Sequence, residues 1–225
     1  MNRIYVSRSF FPLNTGAFTL AEVLITLGII GIVAAMTLPA LTGKYQQKIL
    51  TSQFKKAYAN LQTAINTVNS ENGIPYECYT IRYGVDYHTS ECKEFWEKIL
   101  EQYQIVNTCK YNAQHCRPVY KSKAQVLAEG GTVLNNACSH PINEQTGYNL
   151  KDGSMLYIYN YPDYNHNSLF FGLDVNGLKG PNKWGYDLFY LNLYRENIRT
   201  PVLGLTFVCE LIEKGGQSVE EIMLK

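Results

Sequence analysis

Val23 to Gly43 is a run of 21 residues without a charge, and no other feature of this 225-residue chain limits its fold as strongly. As a helix rising about 1.5 Å per residue it is about 30 Å long, the thickness of a bilayer's hydrocarbon core. One carboxylate, Glu22, stands at its head. A charged side chain inside a bilayer costs about 2.5–3.5 kcal/mol on insertion scales, so an acid in this place needs a partner. The preceding MNRIYVSRSFFPLNTGA carries Arg3 and Arg8, no acid, and ends in the small pair Gly16-Ala17. An ordinary secretory signal is cut after its apolar run. Here no A-x-A site with a polar start follows the run, so a cut at the small pair keeps the apolar segment in the mature chain. Arg3 and Arg8 place the N-terminus in the cytoplasm by the positive-inside rule, and residues beyond about 43 outside.

This constellation resembles the precursors of type IV pilins and of the pseudopilins of type II secretion. In that family a dedicated prepilin peptidase removes a short basic leader before an apolar helix whose fifth mature residue is Glu. Ala17 is followed by Phe18-Thr19-Leu20-Ala21-Glu22, which makes Glu22 the fifth residue counted from Phe18. The family's helix-loosening glycine and proline, 14 and 22 residues into the mature chain, then fall on Gly31 and Pro39. A cut after Gly16, the family's usual residue, shifts every landmark by one. The register therefore favours cleavage between Ala17 and Phe18, with Gly16 as the alternative residue before the cut. The resemblance implies N-methylation of Phe18 and pairing of its amine with Glu22 of a neighbouring subunit. The plainer explanation is a membrane anchor with Glu22 at the interface. Pro39 lacks an amide hydrogen and clashes with the preceding turn, so with Gly31 it loosens the helix.

Beyond the apolar run, Tyr45, Ile49, Phe54, Tyr58, Leu61, Ile65 and Val68 follow one face of a helix. Lys44, Lys48, Lys55, Lys56, Gln62 and Asn66 occupy much of the rest. The helix is predicted to resume after Pro39 and to end near Gly73 and Pro75. Its apolar outer face needs a globular partner. Glu91 to Val106 reads as a short helix and Asn107 to Lys123 as a loop. YNLKDGSMLYIYNY, residues 148–161, reads as a hairpin about Asp152-Gly153. SLFFGLDVNG and YDLFYLNLY are two further strands joined by LKGPNKWG. LGLTFVCELIEKGG fits a last strand or a helix.

A composition of 46% hydrophobic and 17% charged residues is enough for a buried core. Net charge is +1, falling to −1 without residues 1–17, and no basic run tracks phosphates, so no nucleic-acid partner is indicated. Cys78, Cys92, Cys109, Cys116, Cys138 and Cys209 all lie after residue 77. An even number behind a membrane-directed segment reads as disulfides in an oxidising compartment, with 15 pairings open. Cys109 and Cys116 are close enough to close a small ring. Zinc is the rival, but no CxxC occurs and the histidines are scattered. Asp174, Asn176 and Asp187 offer hard oxygen ligands around a Gly-rich turn, as a calcium loop would. The EF-hand acid at position 12 is absent, and a structural Asp/Asn/Gly turn competes. His88, His115, His140 and His166 sit in no catalytic spacing, so no catalytic residue is assigned and the chain does not read as an enzyme.

The expected architecture is α+β and pilin-like. Residues 1–17 are a leader, 18–42 the membrane and polymerisation half of a long helix, and 43–72 its amphipathic half. Residues 73–225 form a disulfide-bearing head with an antiparallel sheet. The resemblance implies a structural subunit of a type IV pilus or type II secretion filament. Its partners would be prepilin peptidase, sister pilin subunits, an assembly ATPase with its inner-membrane platform, and membrane lipid. It would begin as a single-pass inner-membrane protein with an extracytoplasmic head, then join a periplasmic or cell-surface filament. The alternative is a membrane-anchored minor pilin or binding module, with calcium as a possible stabiliser of the head.

Overall fold

The computed structural model describes residues 18–81, 87–88, 90–111, 113, 115–134, 142–159, 170–195, 203–206 and 210–224. The chain divides into two compact units, residues 1–45 and 46–225. Helix α1 spans Leu20–Asn72, 53 residues with Pro39 inside it. In the first unit every large apolar side chain from Val23 to Leu41 is exposed. Three hydroxyls in this stretch are satisfied by their own helix. Thr26 donates to the Val23 carbonyl, Thr37 to Val33, and Thr42 to Leu38 and Pro39. Such back-bonding is what a lipid-facing helix requires, since hydrocarbon offers no partner. Among the described residues, α1 is the one helix long and apolar enough to span a membrane.

In the second unit α1 buries Leu50, Phe54, Leu61, Ala64, Ile65 and Val68. The buried face differs from the sequence expectation at its start. Tyr45 is 68% and Ile49 41% exposed, and Leu50 opens the stripe instead. Leu50 lies about 100° around the helix from Ile49, in line with Phe54 and Leu61. α1 ends at Asn72, and the φ of +78° at Gly73 suits glycine at the residue after a helix. Asn69 then caps the turn, its Oδ1 accepting from the Tyr76 amide at 3.0 Å.

Four strands form an antiparallel meander: β5 (Gly147–Leu150), β6 (Met155–Tyr159), β7 (Phe170–Asp174) and β8 (Leu188–Arg195). The Asp152-Gly153 hairpin joins β5 to β6 as the sequence predicted, with Asn149 opposite Met155. β3 (Ile105–Cys109) pairs with β5 at one edge. At the other, β1 (Tyr79–Ile81) runs parallel to β8, with β2 (Tyr87–His88) beyond it, while β9 (Leu203–Thr206) also pairs with β8. Helix α2 spans Cys92–Glu101, shorter than Glu91 to Val106. The residues it gives up, with part of the predicted loop, are β3: β-branched Ile105, Val106 and Thr108 find the exposed edge of β5. LGLTFVCELIEKGG divides between β9 and β10 (Glu210–Ile212), which lie in different sheets, and α4 (Val219–Leu224) follows.

Both faces of the sheet are covered, and strand alternation sorts the residues. Leu156, Ile158, Phe171, Leu173, Phe189, Leu191 and Leu193 join the core made by α1, α2 and α4. Phe54 lies 4.3 Å from Phe189, ring to ring. Met155, Tyr157, Phe170, Leu188 and Tyr190 form a second core with Tyr120, Val126, Ile142, Trp184 and Leu211. That second layer is a two-stranded sheet, β4 (Thr132–Leu134) with β10, and the short helix α3 (Lys123–Ala128). Among the described residues two disulfides tie the unit: Cys78–Cys92, where α2 begins, and Cys109–Cys116 after β3. Cys138 and Cys209 lie outside the described residues.

Candidate functional site

The start of α1 is the first candidate. Gly16 and Ala17, the expected cut site, lie outside the described residues. Phe18 is 86% exposed. Thr19 caps the helix: its Oγ1 accepts from the Glu22 amide at 3.2 Å, and its carbonyl accepts the Val23 amide at 3.2 Å. Glu22 reaches back, its Oε2 accepting from the Thr19 amide and hydroxyl, both at 2.9 Å. This is a reciprocal capping box. The sequence reading took Glu22 as an acid without a local partner and passed over the signal, T-x-x-E ahead of an apolar run. Glu22 therefore closes the N-terminal end of its own helix. Gly31 and Pro39 lie within the uninterrupted helix, and a Cβ on Gly31 would meet nothing within 4 Å.

The second candidate is the β7–β8 connection carrying Asp174, Asn176 and Asp187, which the fold does bring together. Asp174 and Asp187 are fully buried. Asp174 Oδ1 accepts from the amides of Asn176 (3.1 Å) and Gly177 (2.7 Å), and Oδ2 from the Tyr120 hydroxyl at 2.7 Å. Asp187 accepts from the amides of Asn182 (2.8 Å) and Lys183 (2.7 Å). Each carboxylate thus holds one end of the loop through backbone donors. Gly177 has φ +56°, and a Cβ there would lie 2.7 Å from the Gly153 carbonyl oxygen, so the close approach of the two turns needs glycine.

Burial pushes the Asp174 carboxyl up to about 7, the neighbouring Asp187 charge adds to it, and the Tyr120 hydroxyl and loop amides oppose it. Burial also raises Asp187, against its backbone donors. The Asn176 side chain donates to the Gly180 carbonyl, while its Oδ1 and that of Asn182 are buried without a protein partner. The donor set is all oxygen, as a hard cation prefers. A cation here would compete with the amides that already occupy both carboxylates. Among the described residues no group of three or more His, Cys, Asp or Glu is arranged to hold a metal.

Behind Asp174 lies a polar chain invisible to sequence reasoning. The Tyr120 hydroxyl is 3.0 Å from that of Tyr157, which donates to the Met155 sulfur. Burial drives both phenols well above the ordinary tyrosine range. Arg117 sits 4.8 Å from the Tyr157 ring centre and donates to the Gln145 and Ile142 carbonyls. Trp184 fills the same core, its Nε1 donating to the Lys121 carbonyl at 2.9 Å. The signal available, scattered single tyrosines and an arginine, has no spacing to read.

Of the four histidines, His115 is exposed and neighbours Cys116, whose sulfur is bonded to Cys109 and offers no thiolate. His88 lies on β2, and His140 and His166 lie outside the described residues. Compared with known proteins, the chain matches no family model, no curated protein and no solved structure.

Proposed function

We propose that this chain is a filament subunit of the pilin or pseudopilin type, made as a membrane-inserted precursor. It is cut between Ala17 and Phe18 by a prepilin peptidase and assembled through α1. The observation that carries this reading is the register of Phe18, Glu22, Gly31 and Pro39 along one apolar helix headed by a single acid. Sister subunits, an assembly ATPase and its inner-membrane platform are the partners it requires. Two disulfides in the head support an oxidising, extracytoplasmic location for that part, with the N-terminus cytoplasmic before export. The role is structural, with no reaction assigned.

N-terminal mass spectrometry of the mature chain tests the register. The expected result is a start at Phe18 bearing an N-methyl group; a start at Ala17 or an uncut chain overturns it. The role of Glu22 is tested by a pair of variants. Glu22→Gln keeps the capping box, which accepts glutamine, and removes the charge. Both Glu22→Ala and Glu22→Gln are expected to be cleaved yet to lose filament incorporation. Incorporation of the Gln variant would reduce Glu22 to a helix cap.

A second reading, a minor subunit or binding module whose head calcium stabilises, draws on the unpartnered Asn176 and Asn182 oxygens beside the buried acids. Calcium titration followed by thermal melting separates the two. The first reading expects no change in Tm, and an upward shift abolished by Asp187→Asn favours the second.

A further inference from the structure

We infer that the head carries a binding groove for a neutral sugar, of disaccharide size, between the outer half of α1, the segment after α2 and the turn joining β5 to β6. The inference concerns the head alone and does not rest on the filament reading. A cavity of about 350 Å³ lies there, open to solvent. Asn60, Thr63 and Thr67 line it from α1, at spacings of three and four that share one helix face. Gln102, Tyr103 and Gln104 line it from the segment after α2, with Lys151 and Asp152 exposed at the turn. Buried Ala64 and Leu150 give it an apolar floor. The Lys151 amide donates to the Gln104 carbonyl at 3.0 Å, which holds two of the three segments together.

The α1 side departs from what a solvated helix needs. Residues 57–70 carry no charged side chain. Asn and Thr are weaker helix formers than Lys, Glu or Gln, and their short side chains leave the gap unfilled. Departures from local preference concentrate at functional sites. The polar groups are also unspent. Among the described residues, the side chains of Asn60, Gln102, Tyr103 and Gln104 have no hydrogen-bond partner. Asp152 Oδ1 accepts from the Ser154 amide at 3.0 Å and hydroxyl at 2.6 Å, which leaves Oδ2 as an acceptor. Burial, and then the Asp152 charge, hold the Tyr103 phenol well above the ordinary tyrosine range, so it stays a donor.

This chemistry selects the occupant. One cation and one anion line the cavity, so neither an anionic nor a cationic ligand gains a net attraction. The three amides each set a donor beside an acceptor, which suits neighbouring hydroxyls that both give and take a hydrogen bond. The C–H face of a sugar ring then lies on Ala64 and Leu150. The volume is at the low end for small-molecule sites, enough for about one or two pyranose rings. A peptide is recognised through a free sheet edge or through pockets for its side chains. Here the Gln104 carbonyl is already taken, and the floor is one alanine and one leucine. Glycoside hydrolysis takes a pair of carboxyl groups, and Asp152 is alone in the lining, so the groove binds without cleaving.

The experiment uses the full chain in dodecylphosphocholine, a detergent without a sugar headgroup. Maltose, lactose and N,N′-diacetylchitobiose are the probes, each followed by saturation-transfer NMR. At least one is expected to receive transfer at its ring protons. Its Kd should rise about five-fold in each of Asn60→Ala, Gln104→Ala and Tyr103→Phe, which remove one hydrogen-bonding group apiece. Those side chains lack partners, so melting temperatures should not move. Thr63→Trp, at an exposed position, should fill the groove and abolish transfer, while Lys179→Ala, outside it, should change nothing. Absence of transfer to all three disaccharides overturns the proposal. Transfer that keeps its full affinity in Thr63→Trp and the three truncations also overturns it, because the sugar then sits elsewhere. Triglycine binding in place of the disaccharides, with the same sensitivity to the variants, overturns it in favour of a peptide.

Discussion

Residues 23–41 and 50–68 belong to one helix, are both rich in apolar side chains, and end in opposite environments. In the first stretch the apolar residues surround the axis, and all the large ones are exposed. In the second they keep to one face, and that face is the core of the head. The difference teaches what solvent each stretch is built for. An all-round apolar helix has no side to give to water, whereas a one-faced helix needs only a single protein partner. Hydroxyl back-bonding does not separate them: Thr26 and Thr37 in the first stretch and Thr63 in the second all donate to carbonyls of their own helix.

The sharpest way to break this comparison is to truncate one side chain in each stretch. Phe54→Ala should destabilise the head by about 3–5 kcal/mol in chemical denaturation, because it empties a fully buried site. Ile30→Ala, exposed in its own unit, should leave that transition unmoved. If both variants lose stability equally, the two stretches do not differ as described.

Burial in the head raises the carboxyls of Asp174, Asp187 and Glu210, and Asp174 moves furthest. Its folded carboxyl sits near 7 against an ordinary 3.8, so the fold holds a proton that the unfolded chain has released. Its contribution is therefore most favourable below about pH 4, declines as pH rises to about 7, and is level above that. Over that window it amounts to a loss of order 4 kcal/mol at most. Asp174→Asn should flatten the decline in denaturation curves taken from pH 4 to 8; an unchanged slope would assign the titration elsewhere.

A charge placed in the first stretch tests the membrane side. Ile30→Lys should reduce membrane integration by the equivalent of about 2.5–3.5 kcal/mol while the head keeps its melting temperature. Full integration would mean the stretch is not lipid-facing at that depth. Smallest is the loss of a single disulfide. Closing loops of 14 and 7 residues, Cys78–Cys92 and Cys109–Cys116 are each expected to contribute about 2–3 kcal/mol. Removal of either one by Cys→Ser should lower the head's stability by that amount and leave membrane integration unaltered.

Much of the scaffold was legible in the residues because its periods are long and clear. The apolar run, the outer face of α1, the Asp152-Gly153 hairpin and strands β7 and β8 each have enough residues to declare a repeat. The second layer was not legible. β4 and β10 are three residues each, too short to show alternation, and they lie far apart in the chain. Ile49 rather than Leu50 was read as the edge of the helical face because both are apolar and only packing chooses between adjacent positions. At the candidate sites, Asp174 and Asp187 were visible as a pair around a turn. Tyr120, Tyr157 and Arg117 were not, since they come from elements whose pairing no local spacing encodes.

By itself the sequence determined the helix, its change from all-round to one-faced apolar character past Gly43 and the capping box that closes its first turn, all local matters of period, charge and the next turn's hydrogen bonds. Only the tertiary structure decided that the sheet is buried on both faces, that Cys78 pairs with Cys92, and that a phenol meets Asp174. Those outcomes depend on which distant segments come into contact, and contact between distant segments is settled by packing the whole head at once.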